Sequence, residues 1–125
     1  MTLVDSSAWV HFLRADGDEA MKTRIIGLLA DGSAAWCDMV RLELWNGARS
    51  DHDRRDLEDL ETFVRLLPTD ANVWEKARQL AWVGRRQGKT CPATDLLIAA
   101  CSLGHGAELL HDDAHFKTIL ALPGI

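Results

Sequence analysis

Met1-Thr2-Leu3-Val4-Asp5-Ser6-Ser7 decides how this chain is read. A short apolar run ends in one carboxylate and two hydroxyls, and the helix-like segment Ala8-Trp9-Val10-His11-Phe12-Leu13 follows at once. So short an apolar strand, with a helix directly behind it, suits the buried centre of a parallel α/β sheet. Open sheets of that kind bind ligands outside the carboxyl ends of their strands, and Asp5 stands at such an end. The competing reading is that Asp5, Ser6 or Ser7 only caps the helix, a position where Ser and Asp are preferred. Three further carboxylates in equivalent places downstream favour the site.

Outward from this stretch, Arg14-Ala15-Asp16-Gly17-Asp18 is a polar break. Met21, Ile25, Leu28 and Leu29 then keep helical spacing from Glu19 to Asp31, and Gly32 ends that helix. Ser33-Ala34-Ala35-Trp36-Cys37 is a small-residue strand. Asp38 is expected to cap a helix over Met39 to Asn46, with Gly47 as its stop. Glu43 lies one turn into it between Leu42 and Leu44, either on the solvated stripe or as a buried carboxylate that needs a partner.

Arg49 to Arg65 is highly charged, with Leu57, Leu60, Val64 and Leu67 on one apolar face and the charges on a solvated one. Val64-Arg65-Leu66-Leu67-Pro68 either ends this helix or forms a third strand. Thr69-Asp70 caps the next helix, where Val73, Ala77, Leu80 and Gly84 share a face. Trp74 and Trp82 flank that face and are expected in the core. Arg85-Arg86-Gln87-Gly88-Lys89 is the one compact basic patch, suited to a phosphate or to the dipole at a helix C-terminus.

Pro92 opens another helix at its first position, which puts Asp95 in the first turn. Leu96 to Leu103 is apolar all round and therefore buried. Asp95 is there to compensate the helix dipole or to serve a site. Ala107-Glu108-Leu109-Leu110-His111 reads as a strand running into Asp112-Asp113-Ala114-His115-Phe116, and Leu120 to Ile125 as a last edge strand. No repeat or linker interrupts the chain, and its length predicts one domain over 1–125.

Composition narrows the function. A net charge of −5 argues against a protein that grips nucleic acid with a broad basic surface. It fits an acidic cluster offset by a cation, a basic partner, or both. The three cysteines, Cys37, Cys91 and Cys101, lack metal-ligand spacing and read as reduced thiols. No apolar run reaches membrane-span length and no signal peptide opens the chain, so a cytoplasmic, non-membrane protein is expected. Tyrosine nucleophiles are excluded because the chain has no tyrosine.

Asp5, Glu43, Asp95 and Asp113 (or its neighbour Asp112) each fall just after a strand or in the first turns of the following helix. A parallel sheet gathers such points on one edge. Carboxylates converging there repel unless a cation joins them, and oxygen-only ligands suit Mg²⁺ or Mn²⁺ over zinc. A magnesium site of this type supports water-mediated phosphodiester hydrolysis.

Four segments carry a resemblance: Val4-Asp5-Ser6-Ser7-Ala8-Trp9, Leu42-Glu43-Leu44-Trp45-Asn46-Gly47-Ala48, Ala93-Thr94-Asp95-Leu96-Leu97-Ile98-Ala99-Ala100 and Leu110-His111-Asp112-Asp113-Ala114-His115-Phe116. In order, spacing and total length the chain resembles the PIN-domain ribonucleases, specifically the VapC toxins of bacterial type II toxin–antitoxin (VapBC) modules. The resemblance implies a three-layer α/β/α fold with a central parallel sheet of four to five strands. It also implies Mg²⁺-dependent endoribonuclease activity on an RNA substrate, homodimers, and inhibition by a cognate VapB-type antitoxin. Carried over, Asp5, Glu43, Asp95 and Asp113 are the metal-binding acids, with Ser7 a polar neighbour.

One departure stands out. The family's last motif reads Thr-x-Asp-x-Asp-Phe, and here His111 and His115 replace the Thr and the second Asp. A zinc-like cluster of His111, Asp113 and His115 is the alternative at that point. Register against Phe116 selects Asp113 over Asp112 as the fourth acid, with His115 near the rim. Among other classes, a receiver domain wants paired acids after the first strand and a phospho-acceptor Asp after a central one. An Asp-nucleophile phosphatase wants Asp-x-Asp, and Asp5-Ser6-Ser7 supplies neither. A catalytically silent PIN-like binding module is disfavoured by the retention of all four acids.

Overall fold

In a computed structural model describing residues 1–125, the opening stretch forms strand β1 over Thr2–Val4 and helix α1 over Ser6–Leu13. After α2 (Glu19–Ala30) come β2 (Ala34–Trp36), α3 (Asp38–Asn46), α4 (Asp51–Phe63) and β3 (Arg65–Leu66). The chain continues through α5 (Ala71–Arg86), α6 (Ala93–Gly104), β4 (Glu108–Leu110) and α7 (Ala114–Leu120). No helix is long and apolar enough to cross a membrane.

The four strands form one parallel sheet in the order β3-β2-β1-β4. β1 is central, pairing Thr2 with both Ala34 and Glu108, and Val4 with Leu110. Its residues are buried because both faces of a parallel sheet are covered by crossover helices. The chain steps from β1 outward to β2 and β3, then returns across the sheet to β4. Right-handed crossovers in opposite directions put their helices on opposite faces, and the reversal makes the C-terminal end of the β1–β4 pair the topological switch point, where open α/β sheets bind ligands.

The core wraps the end of β1. Trp9 is fully buried, with its ring 5.8 Å from that of Trp36 and 6.0 Å from that of Phe12. Ile98, Ala99, Ala100 and Cys101 bury the middle of α6 all round, as its apolar composition requires. Leu57, Leu60, Val64 and Leu67 are buried together as their spacing predicts.

Several expectations need correction. Asp38 is the first residue of α3, whose cap position is Cys37 with no side-chain bond. Pro92 occupies the cap position of α6, one residue before the helix. Leu120 to Ile125 forms no strand, since α7 and a final turn take that segment and the sheet keeps four strands. Trp74 and Trp82 are 50% and 63% exposed and lie outside the core. Trp74 follows Val73 and Trp82 stands midway between Leu80 and Gly84, off the side that α5 buries.

α5 ends in a tight reversal. Gly88 has φ +68, the left-handed conformation that glycine adopts without strain. Its N–H donates to the Arg85 carbonyl (3.1 Å), and the Lys89 N–H donates to the Gly84 carbonyl (2.8 Å), a Schellman closure. A Cβ on Gly84 would stand 2.7 Å from the Lys89 carbonyl oxygen. Ordinarily Gly→Ala inside a helix stabilises by about 1 kcal/mol. Here Gly84→Ala is expected to destabilise by about 1–3 kcal/mol, the range for overpacking, as read from the urea midpoint at unchanged m-value. A stabilised variant would show that the reversal relaxes freely.

Candidate metal centre

Asp5 leaves β1 at the switch point, and its N–H donates to the Leu110 carbonyl at 2.9 Å, continuing the β1–β4 ladder past the strand end. The backbone thereby ties the first acid to the strand that delivers the last. Asp5 is 3% exposed. Its Oδ2 accepts from the Ser7 N–H at 3.0 Å and from the Ser7 hydroxyl at 2.6 Å. The same hydroxyl accepts from the Asp112 N–H at 2.9 Å. Capping thus occupies only one oxygen of the carboxylate. Oδ2 caps α1, while Oδ1 is buried with no hydrogen-bond partner.

Glu43 projects from the second turn of α3 and is half-buried, with Oε1 accepting from the Ser6 hydroxyl at 3.1 Å. Burial pushes its carboxyl pKa above the usual range, and the nearby Asp5 charge adds to the rise. The Ser6 bond opposes it, and Asp95 and Asp113 push it further up. Asp95, in the first turn of α6, is 8% exposed. It too is raised, by burial first and then by Asp113 and Asp5, with His115 pulling it back. The four acids therefore lie within one another's fields, although they come from four separate elements.

Asp113 caps α7, with Oδ1 accepting from the His115 N–H at 2.9 Å. The His115 ring leans back over the same group, its Nδ1 3.0 Å from Asp95 Oδ2 and 3.2 Å from Asp113 Oδ1. Ligand atoms of Asp95, Asp113 and His115 lie within 4.8 Å of one another. Asp5 and Glu43 stand outside this close trio and act on it through charge. Asp112 turns away, and its Oδ2 meets His11 Nε2 at 2.8 Å on the α1 side.

His111 does not join the trio. Its ring packs at 5.1 Å on that of Phe116, and its Nδ1 accepts from the Asp113 N–H at 3.3 Å. The zinc-like grouping of both histidines is therefore not assembled. The chain position of His115, two residues after Asp113 and one before Phe116, was the signal for its place. Only the helix start at Ala114, which folds residue 115 back over its own cap, brings it to the acids.

The donor set fits a hard divalent cation. A buried carboxylate oxygen without a donor and two acids with raised pKa values all lack the positive charge that would settle them.

Fold and acids together define a class. The chain belongs to the PIN domain family, whose model matches residues 2–120. It is 33% identical over 129 residues to ribonuclease VapC11 of Mycobacterium tuberculosis, covering 100% of this chain and 96% of the relative. It is 30% identical to ribonuclease VapC18 of the same organism, over 97% of this chain and 88% of the relative. Among solved structures it resembles FitAcB from Neisseria gonorrhoeae (TM-score 0.78, 22% identity, 98% of this chain and 94% of that one). It also resembles VapBC2 from Rickettsia felis bound to a DNA fragment from their promoter (TM-score 0.78, 13% identity, 98% and 92%). These likenesses confirm the PIN-like α/β fold.

Raised carboxylate pKa values fix the sign of a pH effect. Without metal, the native state holds the Glu43 proton more tightly than the unfolded chain does. Its contribution is neutral below the unfolded pKa, and stability is lost as pH rises from there through the folded pKa. Glu43→Gln in chelator is therefore expected to raise Tm near neutral pH and to leave it unchanged near pH 3. An equal shift at both pH values would place the effect in packing and not in charge.

Proposed function

We propose that this chain is a divalent-metal-dependent endoribonuclease, the toxin half of a VapBC-type module, hydrolysing RNA phosphodiester bonds with Mg²⁺ or Mn²⁺. The observation that carries the reading is the buried, partnerless Oδ1 of Asp5 among carboxylates converging at the switch point. Kinship with chains named VapC ribonucleases gives the reaction class.

Asp5, Glu43, Asp95 and Asp113 would hold the cation, with His115 reaching the same place from α7. A bound cation of this kind lowers the pKa of a water and offsets charge on a phosphoryl group. The protein's own part is positional. Ser7 holds the Asp5 carboxylate by two bonds to one oxygen, which leaves the other oxygen free for a cation. Ser6 orients Glu43 across α1 and α3. Glu43 and Asp95, poised toward protonation by burial and mutual repulsion, are the groups suited to take up or release a proton.

The partner follows from the same charge. A VapB-type antitoxin would place a basic segment at the acidic edge, where an Arg can engage carboxylates bidentately in the cation's stead. Its binding should weaken with added Mg²⁺ and with salt.

Substitutions separate the roles. Asp5→Asn and Asp95→Asn are each expected to lower Mg²⁺-dependent RNA cleavage by at least about 100-fold, beyond the loss typical of a supporting residue, with the fold kept by circular dichroism. Asp113→Asn should match them and Asp112→Asn should stay near wild type, because Asp112 faces His11. Wild-type cleavage by Asp95→Asn would overturn the nuclease assignment. The reverse ranking of Asp112 and Asp113 would move the fourth acid by one residue.

A further inference from the structure

One side of α5 is left unused by the acid cluster. Trp74, Arg78, Trp82 and Arg86 recur every four residues and are all exposed, and such positions align along one side of a helix. The Arg86 guanidinium lies 5.6 Å from the centre of the Trp82 ring. Between Ala71 and Lys89 the chain carries five cationic side chains and one acid, although its overall charge is −5. None of those five cations takes part in an ion pair, unlike Lys22, Arg24, Arg41 and Arg54 elsewhere. Local positive charge on an acidic protein, left without internal partners, is free to meet an anion.

The same segment borders a groove of about 450 Å³ between the C-terminal half of α5 and the start of α6. Trp82, Leu96 and Leu122 give it apolar walls, and Arg78, Arg85 and Lys89 line it with charge. The Schellman closure at Gly84 and Gly88 pins the Lys89 backbone against α5, so the basic end is preorganised. Cys91 and Ala93 line the groove as well, four and two residues before Asp95. Burial pushes the Cys91 thiol pKa up, and the charges of Asp95 and Asp113 push it further, which sets this wall within the field of the acids.

An aromatic wall, an apolar floor and cations, side by side with a cation-seeking acid cluster, match the chemistry of a nucleotide. Bases stack on exposed aromatic rings and their phosphates are drawn to Arg and Lys. We propose that the α5–α6 groove seats an unpaired nucleotide adjoining the scissile phosphate of a single-stranded RNA, with its base against Trp82 and its phosphate on Arg85 and Lys89. This rests on the nuclease reading above and deepens it by giving the nucleotide beside the cut a seat on named residues of α5, one that a base held in a duplex cannot enter. The basic groove also explains how a chain of net negative charge keeps a polyanion beside four carboxylates. A second copy of this chain is the less favoured occupant, since an isologous contact on this face opposes like charges.

The experiment uses the full chain with Trp82→Ala, Trp82→Phe and the double variant Arg85→Ala/Lys89→Ala, each also in the Asp5→Asn background for binding. Readouts are anisotropy of a labelled single-stranded RNA over a salt series, kcat and KM with Mg²⁺, and mass by light scattering. Trp82→Ala is expected to weaken RNA binding about tenfold, with Trp82→Phe retaining most of the affinity. The double variant should flatten the dependence of log Kd on log salt by about 1–2. Both should raise KM far more than they lower kcat.

Unchanged affinity and salt slope would overturn the proposal, as would variants that change only the oligomeric mass, which would give this face to a second copy. If wild-type protein cleaves RNA and the groove variants cleave equally well, the groove fails and the nuclease stands. If no metal supports cleavage while RNA binding still depends on Trp82 and Arg85, the nuclease reading fails and the groove stands as a binding site.

Discussion

The hydrogen bond from the Asp5 N–H to the Leu110 carbonyl is the constraint from which the rest follows. It extends the parallel pairing of β1 and β4 by one step, and with it the first and last acids leave the sheet side by side. β1 can be central only because its three residues and the Ala8 and Trp9 that follow are buried. Burial carries the Asp5 carboxylate inward with them. A carboxylate in such a place needs donors, and Ser7 supplies two to one oxygen and the protein none to the other.

That imbalance sets the energetics of the site. Without a cation, Glu43 and Asp95 destabilise the chain at neutral pH, since both hold their protons more tightly than exposed carboxyls do. The strain is tolerated because the surrounding core is independent of it: Trp9, Trp36, Ile98 and Phe116 are packed beneath the edge with almost no exposure. His115 is the nearest internal relief, standing between Asp95 and Asp113 where a cation is wanted. On the other flank, α5 keeps its cations free of internal acids, which separates a region that attracts anions from one that attracts cations.

Much of this was legible in the sequence because each acid adjoins a strong local signal. Asp5 follows an apolar strand, Asp95 opens an all-apolar helix, and Asp113 lies at a fixed distance from Phe116. Glu43 was ambiguous from its neighbours alone, and only the approach of α1 to α3 gives it Ser6 as a partner. For Trp74 and Trp82, size and apolarity argue for burial, whereas their phase on α5, one residue after Val73 and two after Leu80, turns them to solvent. His115 is half-exposed at the rim, as expected, but its contact with the acids depends on helix geometry. The start of α7 at Ala114 folds the chain back and brings the ring to the acids. The C-terminal strand failed for the same reason, since Phe116 and Ile119 are buried from one side of a short helix.

Thermal unfolding in chelator and in excess Mg²⁺, for wild type and for Asp5→Asn, tests the central claim most directly, that the orphaned carboxylate oxygen belongs to a cation site. A ligand that binds only the native state raises stability by an amount set by its concentration over its Kd, about 2.7 kcal/mol at a hundredfold excess. Mg²⁺ is expected to raise the wild-type Tm in a concentration-dependent way, and Asp5→Asn to lose most of this rise while matching or exceeding the wild-type Tm in chelator. A wild-type Tm indifferent to Mg²⁺ and Mn²⁺, or an equal rise in both proteins, would contradict that claim.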